Sequence, residues 1–193
     1  TWGEFSKKTN IELVPFTNLS STKKIIKSIK PKGLILSGGG TISPKFPNIE
    51  KVKDNLLIKK FDIEREKIEK LLISLACSTN IPLIGICRGM QAIVKYFGSK
   101  LFKVNGHVKT RHKVNYYCPI LKKNIHRTIN SYHDYGVSTS EVSKTFDIIT
   151  SYKNTAEFIQ HREKKIFGIM WHPERERLFN EYDIMLIQKL FKY

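Results

Sequence analysis

An apolar run that ends at a cysteine between two glycines constrains the fold of this chain more than any other feature. The run covers residues 81–86, the cysteine is Cys87, and Gly85 and Gly89 flank it. A helical pattern follows over residues 90–97. A strand that turns this sharply into a helix needs glycines, because neighbouring Cβ atoms would otherwise clash. The segment therefore predicts a nucleophile elbow with the thiol at the end of the strand.

The predicted position of Cys87 also bears on its chemistry. The N–H groups and the positive dipole end of the following helix would lie beneath the sulfur and favour the thiolate. The alternative is a buried cysteine in a core strand that is followed by an ordinary helix. Since Gly-x-Cys-x-Gly is a short pattern, the elbow alone leaves both interpretations open.

A second apolar run ends in residues that can activate a thiol. Residues 166–171 lead into His172, Pro173 and Glu174. A cysteine nucleophile needs a base, usually histidine, and the histidine needs an acceptor on its other ring nitrogen. His172 and Glu174 lie two residues apart, so both side chains face the same way in extended backbone. Together with Cys87 they predict a Cys-His-Glu triad.

Three motifs, in this order, resemble the class I glutamine amidotransferase-like hydrolases. They are residues 34–40, whose glycines look like the oxyanion strand of that family, the elbow at 85–91, and residues 171–174. Further similarity to free-standing γ-glutamyl hydrolases, including the small enzymes that cleave γ-glutamyl-CDP-amidate in bacterial capsule phosphoramidate synthesis, lies in residues 105–107, 111–112, 130–134 and 171–176.

The fold class predicted from pattern and resemblance is the same. Apolar strands alternate with amphipathic helices, which predicts a three-layer α/β domain. The resemblance implies a flavodoxin-like, mostly parallel central sheet flanked by helices, in a single hydrolase domain over residues 1–193. That family opens with a strand before its first helix, whereas this sequence begins at Thr1-Trp2-Gly3, and so the expected first strand has no equivalent in it.

The predicted elements follow the hydrophobic pattern. Strands are expected at 12–16, 33–37, 100–104, 146–151, 157–161 and 166–171, with an outlying hairpin at 113–119. Helices are expected at 23–30, 62–77 and 90–97, with the end of a helix at 2–8 and a last helix from Asn180 to Phe191. A long loop from Ser43 to Asn55 is expected to form one wall of the active site.

The tetrahedral intermediate of such a reaction needs two fixed donors for its oxyanion. The backbone N–H groups of Arg88, which follows the nucleophile, and Gly39, in the glycine loop, are the expected donors. Gly40 in the same loop lets backbone approach the substrate closely. The Arg88 side chain has two open interpretations, a pair with a surface carboxylate or a contact with a substrate phosphate.

Other residues are assigned to substrate binding. Gln91 lies one helical turn after Cys87 and shares its face, and the resemblance implies that it contacts the glutamyl side chain. The resemblance also implies that a loop grips the α-amino and α-carboxylate groups, with residues His133, Asp134 and Tyr135. A phosphate contact is a further hypothesis for Arg111, because guanidinium groups match phosphate oxygens well.

No metal or cofactor is predicted. His107 and His112 lie near Arg111, but no carboxylate or cysteine in that segment completes a ligand set. The three cysteines cannot all pair and none has metal-knuckle spacing. A free nucleophilic thiol fits a reducing cytoplasm, and the roles of Cys77 and Cys118 stay open.

The net charge of +17 points to an anionic partner or to solvated lysine faces. The lysines are scattered, so we expect no nucleic-acid binding, and steering of a nucleotide diphosphate is the functional alternative. No apolar run approaches the roughly 20 residues that cross a bilayer, and no signal peptide is recognised, so neither a membrane association nor a secreted location is predicted. Oligomeric state is left open.

The function predicted is a cysteine-dependent γ-glutamyl hydrolase that releases L-glutamate through a thioester. The resemblance implies γ-glutamyl-CDP-amidate as its small-molecule substrate and cytidine diphosphoramidate as the other product. Hydrolysis of γ-glutamyl-γ-aminobutyrate and a glutaminase subunit that passes ammonia to a synthase partner are the alternatives. A non-catalytic protein that binds nucleic acid is a third.

Overall fold

The structure is a computed structural model that describes residues 1–43, 46–48 and 62–191. Its helices are α1 (Trp2–Thr9), α2 (Leu19–Ile29), α3 (Ile63–Thr79), α4 (Arg88–Tyr96) and α5 (Glu181–Phe191), with a 3-10 turn at Pro173–Arg175. Its strands are β1 (Leu34–Leu36), β2 (Leu83–Ile86), β3 (Phe102–Lys103), β4 (Val108–Cys118), β5 (Lys123–Tyr132), β6 (Tyr135–Gly136), β7 (Phe146–Tyr152), β8 (Thr155–His161) and β9 (Ile166–Ile169).

A five-stranded sheet in the order β1-β2-β9-β8-β7 forms the centre of the molecule. Strands β1, β2 and β9 are parallel, and β8 and β7 continue the sheet antiparallel. Ile86 lies opposite Ile169, so the strands that lead to Cys87 and His172 are neighbours that end at the same edge. The predicted α/β class is confirmed, with a mixed sheet that is parallel where these two strands meet.

Both faces of the sheet are covered. Within β2, Leu83 belongs to the core beneath α3 and α4, whereas Ile84 belongs to the core beneath α1 and α5. Strands that are buried on both faces read as continuous apolar runs, which is why residues 81–86 show no alternation. Each such large side chain contributes roughly 1.5–3 kcal/mol when fully buried, and the three-layer arrangement follows.

Polar capping residues lie at the ends of the helices. Asp62 begins α3, where its side chain accepts a hydrogen bond from the Arg65 N–H at 2.9 Å, and Asn80 ends it in the left-handed region at φ 58°. The predicted cap at Asn180 is confirmed, since its side chain accepts from the Tyr182 N–H at 3.0 Å. Helix α3 therefore runs two residues beyond the predicted Cys77.

The structure corrects three sequence predictions. Residues 12–16 are not a strand, and the strand expected at 100–104 is only Phe102–Lys103. The hairpin expected at 113–119 is far longer, because β4 pairs with β5 along its whole length and the turn follows Cys118. Most of the loop expected from Ser43 to Asn55 lies outside the described residues, so its role as a wall stays a prediction.

Among the described residues, no helix is both long and apolar enough to cross a membrane.

Candidate active site

Cys87 sits in a strained turn between β2 and α4. Its backbone has φ 51° and ψ −105°, a conformation that non-glycine residues rarely adopt. A Cβ on Gly85 would lie 2.5 Å from the Gly89 backbone, and a Cβ on Gly89 would overlap the Leu36 carbonyl oxygen. Both glycines are therefore required for the turn, as the predicted nucleophile elbow demands.

The thiol of Cys87 is buried and protonated at neutral pH. Burial raises its pKa to about 11, and this outweighs a hydrogen bond from the Arg88 N–H that acts the other way. The helix end does favour the thiolate, as expected, but desolvation of a thiolate costs more than one amide returns, so the resting thiol keeps its proton. A base must remove the proton during the reaction.

His172 is fixed at both its side chain and its backbone. Its Nδ1 lies 2.7 Å from Glu174 Oε1, and both side chains are buried. Its N–H donates to Asn130 Oδ1 at 2.8 Å, and its carbonyl accepts from Asn130 Nδ2 at 2.8 Å. The ring of Tyr132 contacts the imidazole edge-on at 5.8 Å. Since Glu174 occupies Nδ1, Nε2 is left for proton transfer.

A buried ion pair anchors the residue before His172. Arg127 donates to both carboxylate oxygens of Asp183 at 2.7 and 2.8 Å. Asp183 Oδ1 also accepts from the indole N–H of Trp171 at 3.0 Å. This group ties β5, α5 and the end of β9 together directly beneath the candidate base.

One cavity of about 780 Å³ receives both the thiol and the imidazole. Cys87 and His172 line it together, although the strands that carry them are far apart in the sequence. Its lining also includes most of the predicted oxyanion and substrate residues, namely Gly39, Gly40, Arg88, Gln91, His133, Asp134 and Tyr135. Gln91 Nε2 donates to the Tyr135 carbonyl at 2.8 Å, which fixes this wall of the cavity.

The glycine loop is held from behind by Arg65, a residue that sequence reasoning missed. Its guanidinium donates to the carbonyls of Ser37, Gly38 and Gly39 at 2.5, 3.1 and 2.8 Å. Because a trans peptide points its C=O and N–H in opposite directions, the amides that follow Gly38 and Gly39 face away from Arg65. Gly39 and Gly40 have φ of 89° and 79°, which glycine adopts readily.

The surroundings of the Arg88 side chain decide between a carboxylate pair and a phosphate contact. The guanidinium is buried, contacts Glu69 in a short ion pair, and lies 3.5 Å from Glu66 Oε1. Glu69 also accepts from Arg65 at 2.9 Å. Arg88 therefore pairs with buried carboxylates of α3 and braces the elbow, rather than extending toward a substrate phosphate.

Arg111 is not among the described residues that line the cavity. Its half-exposed guanidinium forms a paired contact with Glu176 at 2.9 and 3.2 Å. A phosphate contact by Arg111 stays a prediction, and it would require this ion pair to break.

The expectation that no carboxylate completes a ligand set near His107 and His112 is wrong. Both rings are buried beside Glu157 of β8, and one ligand atom from each lies within 4.8 Å of the others. Glu157 is far away in the sequence and reaches the histidines because β4 packs near the main sheet. His133, which lines the cavity, lies next to this group, with its Nε2 3.3 Å from His107 Nδ1.

Comparison with known proteins identifies the family of the chain. The family described as Peptidase C26 matches residues 8–174. The chain belongs to that family. A solved structure of a protein assigned to GMP synthase in Thermoplasma acidophilum superposes with a TM-score of 0.67 at 19% identity, covering 100% of this chain and 87% of its own. This confirms the class I glutamine amidotransferase fold.

Two relatives have names that describe different reactions. A γ-glutamyl-CDP-amidate hydrolase of Campylobacter jejuni is 32% identical over 95% of this chain and 83% of its own length. A glutamine-hydrolysing GMP synthase of Prochlorococcus marinus is 27% identical over 94% of this chain, which spans only 30% of that protein. Family and relatives together support an amide-bond hydrolase of the glutamine amidotransferase kind.

Proposed function

We propose that the chain is a cysteine-dependent γ-glutamyl hydrolase that releases L-glutamate from γ-glutamyl-CDP-amidate and leaves cytidine diphosphoramidate, a step in capsular polysaccharide modification. The observation that carries the proposal is the single cavity shared by Cys87 and His172, with Glu174 bonded behind the imidazole at 2.7 Å. The similarity to the Campylobacter jejuni hydrolase over 95% of the chain supports the choice of substrate.

The first step forms a thioester. As Cys87 Sγ attacks the γ-carbonyl carbon, its proton passes to His172 Nε2, and Glu174 stabilises the resulting imidazolium. The tetrahedral intermediate then collapses, the C–N bond breaks, and His172 returns the proton to the departing nitrogen. Because burial keeps the resting thiol protonated, proton transfer and attack are coupled.

The second step consumes water. His172 takes a proton from a water molecule, whose oxygen attacks the thioester carbonyl. The C–S bond breaks, the proton returns to Cys87, and glutamate leaves with its γ-carboxyl group, which gives its proton to solvent. One water is consumed for each γ-glutamyl bond, and the triad ends in its starting protonation state.

Two backbone amides stabilise the oxyanion in both steps. The Arg88 N–H already faces the sulfur, since it hydrogen-bonds the thiol. The Gly39 N–H faces away from Arg65, because Arg65 holds the preceding Gly38 carbonyl. A single oxyanion donor contributes roughly 10²–10³-fold to rate.

The cavity also carries groups suited to both ends of the proposed substrate. Asp134 presents an exposed carboxylate to an α-ammonium group, and Gln91 lies beside the thiol. Lys100 and Arg175 line the same cavity, and Arg175 lies 4.9 Å from the Tyr132 ring. Cationic side chains favour a diphosphate leaving group over the single carboxylate of γ-aminobutyrate.

The test is glutamate release from γ-glutamyl-CDP-amidate, γ-glutamyl-γ-aminobutyrate and glutamine at equal concentrations. We expect the highest kcat/KM for the nucleotide compound, and complete loss of turnover in Cys87→Ala but not in the matched control Cys77→Ala. Equal kcat/KM for all three compounds would refute the assigned leaving group. Turnover that survives Cys87→Ala would refute the cysteine mechanism itself.

A glutaminase subunit is the second candidate, favoured by the similarity to GMP synthase. In that case glutamine would be the best substrate, and its hydrolysis would rise when a synthase partner is added. Glutamine turnover that is slow and indifferent to any co-purifying protein would exclude it.

A further inference from the structure

Four buried side chains from three segments of the chain converge beside the cavity. His107 precedes β4, His112 lies on β4, His133 follows β5, and Glu157 lies on β8. All four are almost fully buried, with Glu157 at 0% exposure. We call these four residues the histidine cluster. The triad does not use it, and burial of so many ionisable groups needs a compensating interaction.

Four of the six distances within the histidine cluster are close to those between ligands of one small cation. One ligand atom each of His107, His112 and Glu157 lies within 4.8 Å of the others, and His133 adjoins His107 and Glu157. His107 Nδ1 lies 3.1 Å from His112 Nε2, 3.3 Å from His133 Nε2 and 3.3 Å from Glu157 Oε1. His133 Nε2 lies 3.5 Å from the same carboxylate oxygen. Tetrahedral zinc with ligands at about 2.0–2.1 Å has ligand–ligand edges of about 3.3–3.4 Å.

Protons alone do not satisfy these contacts. His107 Nδ1 faces three atoms but offers only one proton or one lone pair. His133 Nδ1 lies 3.0 Å from the Tyr135 carbonyl, which only accepts, so Nδ1 carries a proton and Nε2 is the ring nitrogen that faces the cluster. His133 Nε2 lies 3.5 Å from Glu157 Oε1, which is too long for a good hydrogen bond.

The second ring nitrogens and the carboxylate are arranged as in metal sites. His133 donates to a backbone carbonyl, and His112 forms a hydrogen bond with the Arg111 backbone. Such bonds fix the orientation of ligating imidazoles. Among the described residues, neither Glu157 oxygen has a hydrogen-bond partner of good geometry, despite the two close ring nitrogens.

We infer that His107, His112, His133 and Glu157 bind one Zn²⁺ ion in a closed, tetrahedral, structural site. Three neutral imidazoles and one carboxylate make a ligand set that zinc accepts. The ion joins the β4–β5 hairpin to β8 of the main sheet. It also fixes His133, whose bond to the Tyr135 carbonyl shares that acceptor with Gln91 of the substrate cavity.

The first experiment measures metal in the full chain. Protein expressed with zinc in the medium is dialysed extensively and its metal content is determined by inductively coupled plasma mass spectrometry. We expect about one zinc per chain, retained in Cys87→Ala and lost in His112→Ala and Glu157→Gln. The control His126→Ala changes an exposed histidine of the same hairpin that pairs with Asn115, and it should retain the metal.

The second experiment does not depend on folded variants. Zinc is removed from the wild-type chain with a chelator, and Co²⁺ is added to the folded apoprotein. We expect the intense visible absorption of tetrahedral Co²⁺ at one equivalent, displaced by Zn²⁺. Loss of zinc in Cys87→Ala would assign the metal to the catalytic thiol and overturn the proposal. Wild-type protein that retains no zinc and gives only octahedral Co²⁺ spectra would overturn it as well.

Discussion

Two buried clusters of ionisable side chains lie beside the substrate cavity, and their imidazole nitrogens have different numbers of close partners. In the triad, one carboxylate serves one imidazole, with Glu174 Oε1 at 2.7 Å from His172 Nδ1. In the histidine cluster, His107 Nδ1 alone faces three ligand atoms within 3.1–3.3 Å. In the first, one ring nitrogen has one carboxylate partner, whereas in the second one ring nitrogen faces three atoms but offers only one proton or one lone pair.

The difference teaches what each cluster can do. An imidazole with one fixed partner has its other nitrogen free to take and return a proton, which suits catalysis. Imidazoles whose bare nitrogens converge have no proton to move and instead form a cradle for a cation. Both clusters are buried beside one cavity, so position alone does not distinguish them.

The largest effect is expected from breaking the proton path of the triad. His172→Ala should lower kcat by about 10⁴-fold or more, because the buried thiol loses its base. His107→Ala should instead lower zinc content and leave the base in place. Steady-state glutamate release and metal analysis of the two variants check this. A similar loss of kcat in both variants, with zinc content unchanged, would contradict the assignment of catalysis to one cluster and metal binding to the other.

The next effect concerns the support of the oxyanion loop, which the histidine cluster does not touch. Arg65→Met removes donors to three successive carbonyls, so the Gly39 amide loses its fixed direction. We expect kcat to fall by about 10²–10³-fold with little change in KM. Arg65→Lys should recover part of the loss, since it restores one donor. A change in KM alone would show that the loop binds substrate without stabilising the oxyanion.

The meeting of Cys87, His172 and Glu174 at one cavity was predictable from sequence because its information is local. The glycines around Cys87 and the spacing of His172 and Glu174 each lie within one short segment, at the end of an apolar run. Parallel strands end at the same edge, so their neighbourhood follows once both runs are interpreted as strands. The alternation of apolar strands with amphipathic helices and the cap at Asn180 are local in the same way.

The supporting residues that sequence reasoning did not find depend on how elements distant in the sequence align in the fold. Arg65 reads as an exposed position of α3, and nothing local indicates that it reaches the glycine loop. Asn130 clamps His172 only because β5 runs beside the end of β9. Glu157 did carry a signal, since a carboxylate between Ala156 and Phe158 in a buried strand demands a partner. Its partners lie on the hairpin, whose length the pattern underestimated.

A third test asks whether the resting thiol holds its proton. With the Cys87 pKa raised to about 11, alkylation by iodoacetamide in a Cys77→Ser, Cys118→Ser background should rise with pH well beyond 9. At neutral pH the rate should be about 100-fold below that of a free thiol with a pKa near 9. An apparent pKa below 8 would instead indicate a preformed thiolate–imidazolium pair, so His172 would already hold the proton.

The smallest expected effect is that of the proposed zinc on the substrate cavity, because the cavity wall links the two clusters. Zinc fixes His133, and Gln91 and His133 both donate to the Tyr135 carbonyl at 2.8 and 3.0 Å, so removing the ion should loosen the wall of the cavity. We expect chelation to raise KM by about tenfold or less, roughly 1.4 kcal/mol of binding, with kcat nearly retained. Steady-state kinetics before chelation, after it and after zinc is restored measure this, with circular dichroism confirming that the apoprotein stays folded. A fall in kcat at constant KM would mean that the ion acts on the reacting groups, and the division between a reacting cluster and a supporting cluster would be wrong.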